Sequence, residues 1–69
     1  METLSNIVKE LRTQKGISQG KMAELVGVTR QTIISLEKGS YVPSLLLAMR
    51  ISEVLETTIE QIFFKENVQ

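Results

Sequence analysis

The side chains best suited to recognise another molecule lie between Arg30 and Lys38. An arginine can donate two hydrogen bonds to O6 and N7 of guanine, and a glutamine can bond N6 and N7 of adenine. Arg30 and Gln31 supply these groups at neighbouring positions, and Ser35 follows Gln31 by about one helical turn. This segment can therefore read base edges, provided that a helix presents its polar groups on one side.

Two short helices joined by a tight turn would position these groups. Ser18 can cap a first helix over Gln19–Val26, and Ile17 before the cap can pack against Met22 as a hydrophobic staple. Gly27 follows, where the end of a helix favours a residue with a positive φ. The segment predicts a helix, a sharp turn of about three residues and a second helix.

The second helix is expected to begin after Thr29, which can serve as its N-cap. Ile33 and Leu36 stand at i, i+3 spacing, which predicts that both enter the core. Ile34 has two interpretations that stay open, because it could lie against thymine methyl groups or belong to the core. The residues expected to face outward are Arg30, Gln31, Thr32, Ile34, Ser35 and Lys38.

Three further helices are predicted around this pair. The first covers Thr3–Lys15, the fourth follows an N-cap at Ser44, and the fifth opens with a capping box of Thr58 and Gln61. The fourth carries apolar residues on several sides, so it is expected to be central or covered on two sides. The apolar residues are Leu4, Ile7, Val8 and Leu11 on the first helix; Leu45, Leu47, Ala48, Ile51 and Leu55, with Leu46, Met49 and Val54 further round, on the fourth; and Ile59, Ile62 and Phe63 on the fifth.

Composition excludes several classes of function. The 69 residues contain no cysteine and no histidine, which removes thiol chemistry, the commonest metal ligand and the usual general base. With 42% hydrophobic residues and no apolar stretch of bilayer length, the chain is expected to be a soluble, cytoplasmic protein with no membrane partner. No enzyme activity, cofactor, metal or small-molecule ligand is predicted.

The net charge is zero, which by itself argues against a nucleic-acid binder. The charges are unevenly distributed, however, because six basic and four acidic residues lie in Met1–Ser40, whereas two basic and four acidic residues lie in Tyr41–Gln69. The first part of the chain, which contains the predicted helix pair, is therefore slightly positive.

The stretch QGKMAELVGVTRQTIISLEK resembles the helix-turn-helix of phage-repressor-like transcriptional regulators of the lambda-repressor, Cro and xenobiotic-response-element type. The likeness extends through ELRTQKGISQ and LEKGSYVPSLLLAMRISEVLETTIEQIF, and so covers nearly the whole chain. It implies an all-α, five-helix lambda-repressor-like DNA-binding domain over residues 1–69, with the helix-turn-helix at helices 2 and 3. Residues 64–69 would form a tail, for which a short strand and a frayed end are both compatible with the sequence.

The resemblance implies a partner, double-stranded DNA, with helix 3 in the major groove and helix 2 across the backbone. Gln19 is the best candidate for a phosphate contact, because the N–H groups and dipole at a helix N-terminus favour an anion. Thr29 and Ser40 have an ordinary structural interpretation as well. The expected base contacts are Arg30, Gln31, Ser35 and Ile34, and the expected backbone contacts are Gln19, Thr29, Thr32, Lys38, Ser40 and Tyr41.

Two further positions acquire roles from the resemblance. Arg12 at the margin of the first helix is expected to pair with Glu37 near the end of the recognition helix, although a solvated arginine is the simpler alternative. Glu56 stands where relatives usually carry glycine between helices 4 and 5, which could cost up to about 1 kcal/mol if φ is positive there.

The chain is expected to act as a two-fold homodimer joined through the fifth helix and the tail. Apolar residues are dense near the C-terminus, and a small monomer would leave some of them in water. Phe63 is expected in the core and Phe64 in the interface. The predicted interface residues are Val54, Ile59, Phe64 and Val68.

These features together predict a sequence-specific transcriptional regulator, most simply a repressor that binds a palindromic operator as a homodimer. The alternative is a protein-interaction module of the same fold, such as an antitoxin-like or anti-repressor partner. The near-neutral net charge favours this alternative.

Overall fold

The computed structural model describes residues 2–67, and five helices form most of it. The elements in chain order are β1 (Glu2–Asn6), α1 (Val8–Gln14), α2 (Gln19–Val26), α3 (Arg30–Glu37), α4 (Leu45–Leu55), α5 (Ile59–Ile62) and β2 (Phe63–Asn67). None of the helices within residues 2–67 combines the length and apolar character that crossing a membrane would require.

The two strands form an antiparallel sheet, so the expectation of an all-α fold is wrong in this respect. Asn6 lies opposite Phe63 and Glu2 opposite Asn67, which joins the two ends of the described chain. The C-terminal tail is therefore a strand from Phe63 to Asn67, the first of the two possibilities that the sequence allowed. Val68 lies outside the described residues, and its predicted place in an interface has no structural counterpart here.

The first helix is shorter than predicted, because residues 2–6 are extended and α1 begins only at Val8. The Asn6 side chain explains this start: its Oδ1 accepts a hydrogen bond from the Val8 N–H at 3.1 Å, and its Nδ2 donates to the Leu36 carbonyl at 2.9 Å. Leu4 still packs against the core, but it does so from a strand. Leu4 therefore reaches the core, as its spacing from Ile7 and Val8 predicts, although its backbone is not helical.

The helix-turn-helix is formed as predicted. The Ser18 hydroxyl accepts from the Lys21 N–H at the start of α2, and the Thr29 hydroxyl accepts from the Thr32 N–H at the start of α3. Gly27 ends α2 with φ at 77°, and a Cβ added there would also lie 3.3 Å from Nη1 of Arg50. Glycine suits this position because it adopts a positive φ without strain and has no Cβ to crowd the Arg50 side chain.

The core lies between all five helices and the first residue of β2. The expected apolar positions on α2 and α3 are buried, and so are Ile62 and Phe63, while Ile59 is half-buried against them. The buried apolar residues are Val8, Met22, Ala23, Val26, Ile33, Leu36, Leu47, Ala48, Ile51, Leu55, Ile62 and Phe63.

Helix α4 is covered on one side only, contrary to the prediction. Leu45, Leu46 and Met49 are 71%, 57% and 49% exposed, whereas Ile51 and Leu55 are buried. At 100° per residue the exposed three occupy one side of the helix and the buried residues the other. Leu45 was expected in the core stripe, but it lies on the exposed side of α4 with Leu46 and Met49, although Leu47 in the same turn is buried.

Helix α4 ends at Glu56, which has φ at 54°, so the left-handed turn is retained without glycine. Lys15 contacts the Glu56 carboxylate at 3.0 Å across an exposed surface. Helix α5 begins as predicted, with the Thr58 hydroxyl accepting from the Gln61 N–H, and is only four residues long.

Candidate nucleic-acid interface

The N-terminal half of α3 presents the polar groups that the sequence selects for base recognition. Arg30 and Gln31 are exposed, and Ser35 is half-buried one turn further along. Gln31 Nε2 donates to Ser35 Oγ at 3.4 Å, so these two side chains lie together. The arrangement offers the donors and acceptors needed to bond purine edges in a major groove.

Ile34 is half-buried and is not part of the buried apolar core. Its side chain keeps some exposed apolar surface on α3, between Gln31 and Lys38 in the sequence. Of the two interpretations offered by the sequence, a place in the fully buried core is therefore wrong, and an apolar contact with a ligand remains a prediction.

Gln19 connects the starts of the two motif helices. Its Nε2 donates to Glu37 Oε1 at 3.1 Å, and its Oε1 accepts from Arg30 Nη2 at 3.5 Å. Because Gln19 opens α2 and Arg30 opens α3, both side chains lie where backbone N–H groups and helix dipoles favour an anion.

Thr29 and Thr32 form the cap of α3. The Thr29 hydroxyl accepts from the Thr32 N–H at 3.2 Å, and the two hydroxyls lie 3.0 Å apart. Thr29 is exposed and Thr32 half-buried, so the cap leaves polar atoms at the surface beside Arg30.

The other candidate backbone contacts lie at the opposite end of the same helix. Lys38, Ser40 and Tyr41 are all exposed. The Ser40 N–H donates to the Ser35 carbonyl at 2.9 Å, which closes the end of α3. An eight-residue helix is about 12 Å long, so the backbone positions of these residues and of Arg30 lie at opposite ends of α3, although Gln19 links the Arg30 side chain to Glu37.

Arg12 and Glu37 form an ion pair beneath this surface. Arg12 Nε lies 2.8 Å from Glu37 Oε2, and Arg12 Nη2 lies 3.3 Å from Oε1. Their side chains are only 11% and 4% exposed, and Arg12 Nη1 also donates to the Ile17 carbonyl at 2.7 Å. The pair joins α1, the loop before α2 and the end of α3, so it is part of the scaffold of the site.

An apolar surface that the sequence reading did not identify lies on α4. We define the α4 apolar face as Leu45, Leu46 and Met49. An open groove beside it is lined by apolar Met49 and Ile59 and by polar Ser52, Glu53, Thr58 and Glu60. A helical wheel of α4 contains the signal, because Leu47, Ala48, Ile51 and Leu55 already complete one buried side. Of the predicted interface residues, Ile59 borders this groove, Val54 is half-buried, and Phe64 is 40% exposed on β2.

Comparison with known proteins agrees with this architecture. The profile of the helix-turn-helix family HTH_3 matches residues 8–62. The uncharacterized HTH-type transcriptional regulator YgzD of Bacillus subtilis is 52% identical over 63 residues, covering 91% of this chain and 96% of the relative. An uncharacterized HTH-type transcriptional regulator of Methanothermobacter thermautotrophicus is 52% identical over 61 residues, covering 87% and 88%.

Solved structures show the same fold. The restriction-modification controller protein C.AhdI from Aeromonas hydrophila is 31% identical, with a TM-score of 0.72 over 78% of this chain and 82% of that protein. The transcriptional regulator VanUg is 25% identical, with a TM-score of 0.77 over 97% of this chain and 89% of that protein. The fold, the motif and these relatives together show that the chain belongs to the HTH_3 family of helix-turn-helix transcriptional regulators.

Proposed function

We propose that this regulator is a repressor that binds a palindromic operator in double-stranded DNA as a homodimer. The observation that carries the proposal is that exposed Arg30 and Gln31 open α3, while Gln19, which accepts a hydrogen bond from Arg30, opens α2. A helix in the major groove reads bases with its N-terminal residues, while the preceding helix contacts the backbone. Arg30 and Gln31 would therefore contact bases, and Gln19 would bind a phosphate.

The remaining candidates follow from their positions on α3. Ser35 and Ile34 would extend base contact along the groove, by a hydrogen bond and a thymine-methyl contact respectively. Thr29 and Thr32 at one end, and Lys38, Ser40 and Tyr41 at the other, would bind phosphates on either side. The polar groups at the two ends of α3 support this division between reading and positioning.

A second copy is proposed to cover the α4 apolar face and Ile59. One recognition helix makes only a few base contacts, so two helices on half-sites about 34–36 Å apart are needed for useful specificity. Leu45, Leu46 and Met49 form an exposed apolar patch of the kind that marks a protein interface, and symmetry would bury two such patches at once. Phe64 on β2 is another exposed apolar side chain, and it belongs to the interface that the sequence predicts, so a dimer test must separate it from the α4 apolar face.

Enrichment of random duplexes on the purified protein tests the proposal. We expect a selected sequence with two-fold symmetry, and binding to it that exceeds binding to random duplex by about a thousandfold or more at physiological salt. If no sequence is selected and all duplexes are retained equally weakly, the result would instead favour the alternative, a protein-interaction module of the same fold. The zero net charge of the chain agrees with that alternative. A promoter reporter carrying the selected operator then separates repression from activation.

A further inference from the structure

Hydrogen bonds connect four polar side chains in series, from buried Arg12 through Glu37 and Gln19 to exposed Arg30 at the start of α3. Arg12 donates to Glu37, Gln19 donates to the same carboxylate, and Arg30 donates to Gln19. Glu37 Oε1 is shared, because it accepts from Arg12 Nη2 at 3.3 Å and from Gln19 Nε2 at 3.1 Å. The buried ion pair is thus connected to the outermost base-reading candidate through one glutamine.

The direction of these hydrogen bonds is dictated by chemistry. A carboxylate only accepts and a guanidinium only donates, whereas an amide does both. Gln19 must therefore turn its NH₂ group to Glu37 and its oxygen to Arg30. A glutamate at position 19 would face another carboxylate, and a lysine there would face the Arg30 guanidinium, so glutamine suits both neighbours.

We propose that Glu37 is a positioning residue for base recognition, because it fixes the orientation of the Gln19 amide and thereby the placement of the Arg30 guanidinium. The proposal rests on the proposed function for what Arg30 reads. Glu37 itself is 4% exposed in its side chain, so it acts on DNA only through Gln19. Its effect should therefore appear in the discrimination between base pairs rather than in general affinity.

Glu37→Gln is the informative substitution, because it keeps the size of the side chain. The shortest contact, from Arg12 Nε to Oε2, favours keeping an oxygen at that position, which places the new NH₂ at the position of Oε1. That NH₂ faces both Arg12 Nη2, which loses its acceptor, and Gln19, whose amide must then reverse and present its own NH₂ to Arg30. Two donor groups would face each other, and Arg30 would lose its fixed placement.

The first test measures binding to the selected operator and to the same operator with the Arg30-contacted base pair exchanged. We expect Glu37→Gln to lower the ratio of the two affinities by about threefold to tenfold, while affinity for random duplex and the salt slope stay unchanged. In a Gln19→Ala background, Glu37→Gln should have no further effect on this ratio. Asn6→Ala is the control, since it weakens the neighbouring end of α3 at the Leu36 carbonyl without touching the chain of side chains.

Equal losses on both operators, or the same fold-change with and without Gln19, would overturn the proposal. A second measurement uses the wild-type protein alone, so it depends neither on DNA nor on whether a variant folds. It is the ¹⁵N relaxation of the side-chain amides in the free protein. The Gln19 amide is expected to be ordered, with an order parameter above about 0.6, and the exposed Gln14 amide to be lower. Equal mobility of the two amides would show that the Gln19 amide is not held by its hydrogen bonds and would overturn the proposal. Failure of the wild type to select any duplex would overturn only the proposed function.

Discussion

At the scale of single residues, the two ends of α3 are expected to contribute in different ways. Arg30 is exposed beside Gln19 at the end where base edges would be read, and Lys38 is exposed at the far end. A bidentate arginine contact discriminates between bases, whereas a lysine beside the backbone neutralises a phosphate whatever the sequence. The two cations therefore allow reading and positioning to be measured separately.

Arg30→Ala should weaken binding to the operator by about 1–3 kcal/mol and relax preference at one base pair. Lys38→Ala should weaken all duplexes alike and lower the slope of log affinity against log salt by about one unit. Titrations of operator and random duplex at several salt concentrations measure both effects. Equal losses on operator and random duplex for Arg30→Ala would contradict its role in base reading.

The ion pair of Arg12 and Glu37 should matter for stability because both side chains are almost fully buried. Removing either partner by alanine leaves the other charge buried without its counter-ion, which should lower the free energy of unfolding by about 3–5 kcal/mol. An exposed pair would contribute only about 0–1 kcal/mol. Urea denaturation of Arg12→Ala and Glu37→Ala measures the loss.

The matched control is the double variant Arg12→Met with Glu37→Met, which replaces both charges by apolar side chains. It should recover much of the stability lost in either single variant, less the bonds from Arg12 to the Ile17 carbonyl and from Gln19 to Glu37. Denaturation midpoints of both single variants that equal the wild-type midpoint would show that the pair contributes nothing.

At the scale of elements, Asn6 determines where the first strand ends and the first helix begins. Its side chain bonds the Val8 N–H in one direction and the Leu36 carbonyl, near the end of α3, in the other. One residue thereby places α1 against the recognition helix. Asn6→Ala should lower the free energy of unfolding by about 1–3 kcal/mol, because two polar backbone groups lose their partner.

Asn6→Asp separates these two bonds. The carboxylate can still accept from the Val8 N–H, but it cannot donate to the Leu36 carbonyl and brings a negative charge beside that oxygen. A loss of stability in Asn6→Asp close to that of Asn6→Ala would assign the effect to the bond with α3, and wild-type stability would assign it to the start of α1. Thermal or urea unfolding of the three proteins gives the comparison.

The turn between α4 and α5 should be open to stabilisation at Glu56. A non-glycine residue at φ 54° is strained, and Glu56→Gly should relieve this strain and raise the free energy of unfolding by up to about 1 kcal/mol. The change also removes the exposed contact with Lys15, which contributes little. Lys15→Ala is the control for that contact, and a Glu56→Gly protein less stable than Lys15→Ala would contradict the predicted strain.

At the scale of the whole molecule, the exposed side of α4 is the clearest reason to expect a second copy. Sedimentation equilibrium at micromolar concentration should show a wild-type dimer. Met49→Lys should raise its dissociation constant by about tenfold or more, because a charge would enter the apolar contact. Phe64→Ala, which alters the exposed apolar side chain of β2, should leave the dimer unchanged.

A strong effect of Phe64→Ala with none from Met49→Lys would place the interface at β2, which forms the tail of the interface predicted from the sequence, and not at the α4 apolar face. A wild type that stays monomeric with and without a palindromic duplex would contradict the homodimer altogether.

The parts of the fold that depend on local chemistry were predictable from the sequence. Ser18, Thr29, Ser44 and Thr58 all cap the helices that they were expected to cap, because a cap needs only a hydroxyl and an N–H three residues later. Gly27 and the apolar spacing of α2 and α3 likewise depend on neighbours within one or two turns. These local rules were sufficient for the helix-turn-helix, whereas the family was indicated by the resemblance of the whole stretch to known regulators.

Only the tertiary structure decided the features that depend on residues distant in the chain. Leu4 fits the helical spacing of Ile7, Val8 and Leu11, but residues 2–6 form a strand, because β2 at the other end of the described chain supplies their hydrogen-bond partners. Leu45 fits a core stripe but remains exposed, whereas Leu47 and Ala48 in the same first turn are buried, so the spacing along α4 did not show where its buried side ends. The bond from Gln19 to Glu37 spans 18 positions, so spacing could not reveal it. Each of these outcomes depends on how elements that are distant in the sequence pack against one another.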